Sequence, residues 1–267
     1  DKRNDELDPT TAPAAPVARG IHALPRGAGP GVLVHELMEQ CAQLGFGRVQ
    51  SHPELAGQLV DTIFKQPDWN NSREEIGRAL RQWLALPVTA PDGVSLSGLA
   101  PAEYQAEMEF LLGADNVDAP AIDSWVCRHS FAGRTRPRLL AKQINGLLKG
   151  FIDLVFVHNG QYYVLDYKFN ALGNDADAYS QDKLEQAMLN KRYDLQAVLY
   201  LLALHRLLKT RLGDAYAYDK HIGGAVYLFL RGAQAAGAGR LLFKPPKILI
   251  ETLDGLFCGE SVTGMAA

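Results

Sequence analysis

Cysteine is scarce in this sequence. Three cysteines are spread over 267 residues, at positions 41, 127 and 258, and no CxxC or Cys/His grouping has zinc-ligand spacing. That excludes a disulfide scaffold, and the expectation is reduced thiols in a cytoplasmic protein. Long hydrophobic runs are missing: none reaches the roughly 20 residues a membrane helix needs, and no signal-peptide pattern is present. No membrane association is expected. Excess basic charge is missing as well. The net charge is -3, so a generic cationic coat for nucleic acid is ruled out and any such contact has to be local. There is no G-x-x-x-x-G-K-[ST], hence no ATP site of the P-loop kind. The chain opens DKRNDELD with no initiator Met, which reads as a piece of something longer.

What is present fits one large domain with an extension, since 47% of the residues are hydrophobic. Residues 1–30 are polar, then rich in Pro, Ala and Gly, and read as a partly disordered linker. From Gly31 an apolar stripe of Val34, Leu37, Met38, Cys41 and Leu44 predicts a helix. Further helices are expected over 53–65 and from Ser72 to about Leu86, the latter opened by a Ser72–Glu75 capping box. Residues 103–113 alternate as a strand does, and 119–130 suit a short helix. A hairpin over 144–169, helices over 178–190 and 193–212, a glycine-bounded strand at 223–232 and a last helix ending at Phe257 complete the order. The expectation is an α/β core over 101–260, a central sheet flanked by helices, with a helical annex over 31–100.

The hairpin raises a chemical question. GFIDLVFVHNGQYYVLDYKFN, residues 150–170, carries Asp153, Asp166 and Lys168 in strands that are otherwise apolar. Asn159-Gly160 accepts the positive φ of a tight type I′ turn. Asp153 lies six residues before Asn159, and Asp166 six after Gly160, so the turn sets them opposite each other. Opposed residues share a face about 5 Å apart at Cβ, and Lys168, two residues on, shares it too. Ile152, Leu154 and Phe156 are expected on one face and Val155, Val157 and Val164 on the other, as in a central strand pair covered on both sides. Two ionised carboxylates there repel each other, and leaving them buried and unpaired costs several kcal/mol or a pKa shift. A hard divalent cation, Mg²⁺ with Mn²⁺ as a substitute, resolves the conflict. The alternative is a structural Asp–Lys–Asp ion network.

An acidic residue on one strand and Asp-x-Lys on the next resemble the PD-(D/E)XK nuclease superfamily. GFIDLVF, YYVLDYK, YDLQAVLYLLALHR and GGAVYLFLRG look like the C-terminal nuclease domains of the RecB family, the β subunits of exodeoxyribonuclease V. VHELMEQ and EYQAEMEF stand in the order those domains show, and the resemblance covers about residues 31 to 260. It implies a restriction-endonuclease-like fold with a central mixed sheet and a metal-dependent deoxyribonuclease acting in double-strand break repair. His35, on the apolar side of the first helix, becomes a metal ligand with Asp153, Asp166 and the backbone carbonyl of Tyr167; without the resemblance it reads as a core histidine. Asp153, Asp166 and Lys168 become the catalytic set. Gln196 and Tyr200, which share a helix face with Tyr193, take the role of contacting DNA or orienting the site. The implied partners are single-stranded DNA, RecC and RecD, with RecA as a further docking partner. The family pattern usually has a small hydroxyl residue after the catalytic Lys, whereas this chain has Phe169, expected to point to the opposite face.

Other residues admit two readings each. Glu109, on the strand before the hairpin, is a supporting or second-metal carboxylate, or an exposed strand residue. Arg134, Arg136 and Arg138 are phosphate contacts, or a solvated basic loop. The whole chain has a rival reading too: a catalytically silent nuclease-like module that binds protein or DNA.

Overall fold

The computed structural model describes residues 18–88, 93–233 and 237–260. Four helices come first: α1 (Ala28–Leu44), α2 (Phe46–Ser51), α3 (Pro53–Ile63) and α4 (Arg73–Ala85). The long strand β1 (Tyr104–Asp118) leads through α5 (Ala119–His129) to the hairpin β2 (Gln143–His158) and β3 (Gln161–Lys168). Then follow α6 (Gln181–Asn190), α7 (Tyr193–Leu212), a single turn α8 (Tyr218–His221), β4 (Ile222–Phe229), β5 (Arg240–Phe243) and α9 (Lys247–Phe257). The strands form one sheet in the order β1-β2-β3-β4-β5, with β3 and β4 parallel and every other neighbour antiparallel.

Each face of the sheet carries its own core. The α1–α4 annex packs Val34, Leu37, Met38 and Trp83 against Leu154, Phe156, Leu165, Val226 and Leu228. Opposite, α6, α7 and α9 pack against Val155, Val164, Ala225, Tyr227 and Phe229. Burial on both faces explains why β4 reads as an unbroken apolar run.

Asn159 and Gly160 adopt φ of 49° and 75°, and the ladder runs from His158↔Gln161 to Leu154↔Leu165. One step further, Asp153 and Asp166 stand at the end of that register. The expected alternation breaks there. Leu154 and Phe156 lie in the annex-side core but Ile152 lies in the other. Across on β1 the same switch separates Ala106 from Met108. The residue between them, Glu107, takes a left-handed φ of 48°. This turns the pleat over and aims Asp153 out of the ladder.

Other departures have local causes. Ser72 precedes α4, but its hydroxyl makes no cap; Glu75 instead pairs with Arg78 at 3.0 Å. The short α2 and β5 escape the sequence because neither is long enough to show a period. Residues 1–17 of the expected linker lie outside the described residues. Residues 21–25 are not loose: the buried Arg231 guanidinium donates to the carbonyl oxygens of Ile21 (3.0 Å), Leu24 (3.1 Å) and Pro25. No helix among the described residues is long and apolar enough to cross a membrane.

Candidate active site

At the end of the hairpin ladder β2, β3 and α1 meet around an open cleft of about 750 Å³. Asp153, Tyr167, Lys168 and Tyr193 line it from the sheet side, and His35 with Glu36 and Glu39 from α1. Asp153 Oδ2 accepts the backbone N–H of Tyr167 at 2.8 Å, so its carboxylate takes the place of a ladder carbonyl. His35 Nδ1 lies 3.2 Å from the same oxygen. Burial lowers the His35 pKa, but the bond to Asp153 and the nearby charge of Asp166 outweigh it, and the net shift is upward.

Asp166 is buried beneath the cleft. Desolvation first, then the charge of Asp153, pushes its carboxyl up to about 7 against the opposing pull of Lys168. Lys168 Nζ is 2.5 Å from Asp166 Oδ2, a charge contact to a buried oxygen that no other donor among the described residues reaches.

Helix α7 builds a box around Lys168. Gln196 Oε1 accepts from Lys168 Nζ at 3.2 Å and from the Tyr227 hydroxyl at 3.1 Å, while Gln196 Nε2 donates to Tyr200 Oη at 2.8 Å. The ammonium stands 4.0 Å from the centroid of the Tyr193 ring, close enough for a cation–π contact. Gln196 and Tyr193 therefore touch Lys168 directly, and Tyr200 reaches it through Gln196. Phe169 points to the other face, edge-on to Trp83 and beneath Arg231.

Glu109 is not brought to the cleft. It is exposed and pairs with Lys149 at 3.1 Å on the outer face of the sheet. Glu107 occupies the place expected of it, lining the cleft opposite Asp153. Its carboxyl is raised by burial, then by Asp153 and Glu39. Nothing in the sequence distinguishes Glu107 from Glu109. The β1–β2 connection is long and sets no register by counting, and a left-handed glutamate has no local signature. Tyr227 was equally illegible, being one aromatic in a uniformly buried strand.

Of the three arginines, Arg138 is exposed as a solvated loop would have it, whereas Arg134 and Arg136 are drawn into ion pairs. Arg136 is buried, 2.6 Å from Asp194. Arg192 bridges Asp194 (3.1 Å) and Asp123 (2.7 Å). Arg134 pairs with Glu185 at 2.7 Å, and Arg138 lies 3.5 Å from Asp123. This network anchors the first turn of α7, and so fixes Tyr193 and Gln196 over the site.

Among the described residues, no three His, Cys, Asp or Glu side chains are gathered closely enough to form a finished metal cage. The candidate ligands are engaged with protein partners instead, His35 with Asp153 and Asp166 with Lys168. The donor chemistry still fits a hard divalent cation. Two carboxylates repel each other, one of them is buried, and an imidazole adjoins them; a cation relieves the repulsion.

The model of the PD-(D/E)XK nuclease superfamily matches residues 17–253. The chain belongs to the PD-(D/E)XK nuclease superfamily. Members of this superfamily generally use divalent metals. The chain is also similar to the RecBCD enzyme subunit RecB of Escherichia coli K12, 39% identical over 254 residues, 90% of this chain and 20% of that subunit. The Haemophilus influenzae subunit of the same description is 34% identical over 88% of this chain and 19% of its own length. That of Mycobacterium tuberculosis H37Rv is 31% identical over 95% of this chain and 26% of its own. The chain thus spans about a fifth to a quarter of the length of these curated relatives, consistent with the nuclease domain of RecB.

Proposed function

We propose that this chain is the nuclease domain of a RecB-type subunit and hydrolyses DNA phosphodiester bonds with Mg²⁺, or Mn²⁺ in its place. The observation that carries the reading is the meeting of Asp153, Asp166 and Lys168 at the end of one hairpin ladder, with His35 3.2 Å from Asp153. His35, Asp153, Asp166 and the backbone carbonyl of Tyr167 would hold the cation. When bound, it supplies positive charge to the scissile phosphate and lowers the pKa of a water. Lys168, steadied by Gln196 and Tyr193, turns its ammonium toward the reacting phosphate and offsets the charge that develops there. Tyr200 and Tyr227 hold Gln196, and through it the direction of the ammonium. In-line attack then leaves 5′-phosphate and 3′-hydroxyl ends.

The relatives are described as RecB subunits of a RecBCD enzyme. That similarity supports a place beside RecC and RecD in double-strand break repair; we propose further that the domain works in the cytoplasm, receives single-stranded DNA and docks RecA. A silent module has less support, because a carboxylate pair and a lysine at one cleft serve no purpose in a purely adhesive surface.

The test is incubation with circular single-stranded DNA in Mg²⁺ and in Mn²⁺, beside EDTA and an Asp166→Ala control. Metal-dependent loss of the circle, abolished in the variant, is the expected result. An intact circle together with no calorimetric binding of either metal would return the chain to the silent-module reading.

A further inference from the structure

The cleft does not end at the reaction centre. Arg26 and Val32 also line an adjoining hollow of about 510 Å³, walled by Pro25, Leu33, Gln66, Asp68 and Trp69, with Arg26 the cation facing the one carboxylate of that lining. Arg26 therefore stands where the two spaces join. Its side chain is exposed, and Asn174 Oδ1 accepts one of its guanidinium donors at 2.6 Å. The chain just before it is held firmly. Arg231 donates through Nε to the carbonyl oxygen of Phe169 at 3.1 Å, and through its other nitrogens to those of Ile21, Leu24 and Pro25. Leu230 N–H bonds the carbonyl oxygen of Lys168 at 2.9 Å. The strap before Arg26 is thus tied to the strand end that carries Lys168, and Arg26 keeps a fixed place relative to the reaction centre.

The charges around it give that place a purpose. Glu36, Glu39, Glu107 and Asp153 make the cleft wall acidic, which repels a polyanion. Lys168 stands at the reaction centre itself, beside Asp166. Arg26 lines the same cleft where it joins the hollow; among the described residues its guanidinium has one hydrogen-bond partner, Asn174, and a planar fork matches a phosphate.

We infer that Arg26 is the phosphate contact of a nucleotide subsite flanking the reaction centre, holding a backbone phosphate next to the scissile one, with the adjoining hollow as the room for that nucleotide. The inference rests on the reading of the chain as a DNA nuclease. A contact of this kind positions the strand and reads no sequence.

The experiment is steady-state cleavage of single-stranded DNA in Mg²⁺ over a series of salt concentrations. Arg26→Gln should raise KM about tenfold with kcat little changed, the loss expected for one charge-assisted contact. The slope of log(kcat/KM) against log[salt] should become shallower by about 0.7, the share of one single-strand phosphate. Arg26→Lys should restore the slope. Arg211→Gln, an exposed arginine at the far end of α7, should match wild type. An Arg26→Gln protein with wild-type KM and slope would overturn the inference while leaving the nuclease reading intact. A wild-type protein that cuts no DNA would overturn both.

Discussion

Asp166 carries a proton that its surroundings make hard to remove, since its carboxyl is held at about 7 by burial and by Asp153. Below about pH 4 it is protonated in both the folded and the unfolded chain and contributes nothing. Between there and pH 7 the unfolded chain loses the proton and the folded chain keeps it, so stability falls as pH rises, and the full cost is present above pH 7. Asp166→Asn should therefore raise the melting temperature of the metal-free protein at pH 8, with the gain fading toward pH 4. A variant that melts below wild type at pH 8 would show that the Lys168 pair outweighs burial. The two glutamates of β1 make a second contrast at this scale. Glu107→Gln should lower cleavage at least tenfold, an effect of about 1.4 kcal/mol or more on the barrier. Glu109→Gln should leave the rate unchanged, because that carboxylate serves only an exposed pair with Lys149.

The element most dependent on a single side chain is the strap of residues 21–25. Arg231 is buried and, among the described residues, its guanidinium is met by carbonyl oxygens rather than a carboxylate. Arg231→Met removes those donors together, at a cost of about 3 kcal/mol or more. Trypsin should then cut after Arg26 faster than in wild type, and urea should unfold the variant at a lower midpoint. An unchanged digestion pattern would mean that the strap is held by Ile21 and Leu24 in the core alone. Elements of this kind divide what the sequence can tell from what it cannot. The hairpin was readable because a two-residue turn fixes its register locally. The α1 stripe was readable because its period is helical: Val34, Leu37, Met38 and Cys41 are buried, while Leu44, at the helix end, is exposed. Arg231 meets partners about two hundred positions away, and the Arg136–Asp194–Arg192–Asp123 network joins three segments. No local pattern encodes either. The pleat reversal at Glu107 is hidden for another reason: it puts a residue with no preference for positive φ into one.

At the scale of the whole molecule, annex and sheet share one core. Leu154, Phe156, Leu165, Val226 and Leu228 are buried against α1–α4. At roughly 2 kcal/mol for each buried side chain, the sum of about 10 kcal/mol is comparable to the entire stability of an ordinary domain. We propose that residues 31–100 and 101–260 are parts of one cooperative unit. Thermal unfolding followed by far-ultraviolet circular dichroism and by the fluorescence of Trp69, Trp83 and Trp125 should give a single coincident transition. Two separated transitions would make the annex a domain of its own.

The Asn159-Gly160 turn has a consequence for how this chain can change. Connections at a protein surface ordinarily accept added residues at little cost. This one acts as a ruler: Asp153 and Asp166 reach the same site because equal lengths of strand run back from it. One residue inserted at the turn slides β3 by one place and turns Asp166 and Lys168 to the face where Leu165 and Tyr167 now lie. The sequence of the two strands can drift a long way, whereas their relative length is held fixed by chemistry that takes place at their opposite ends.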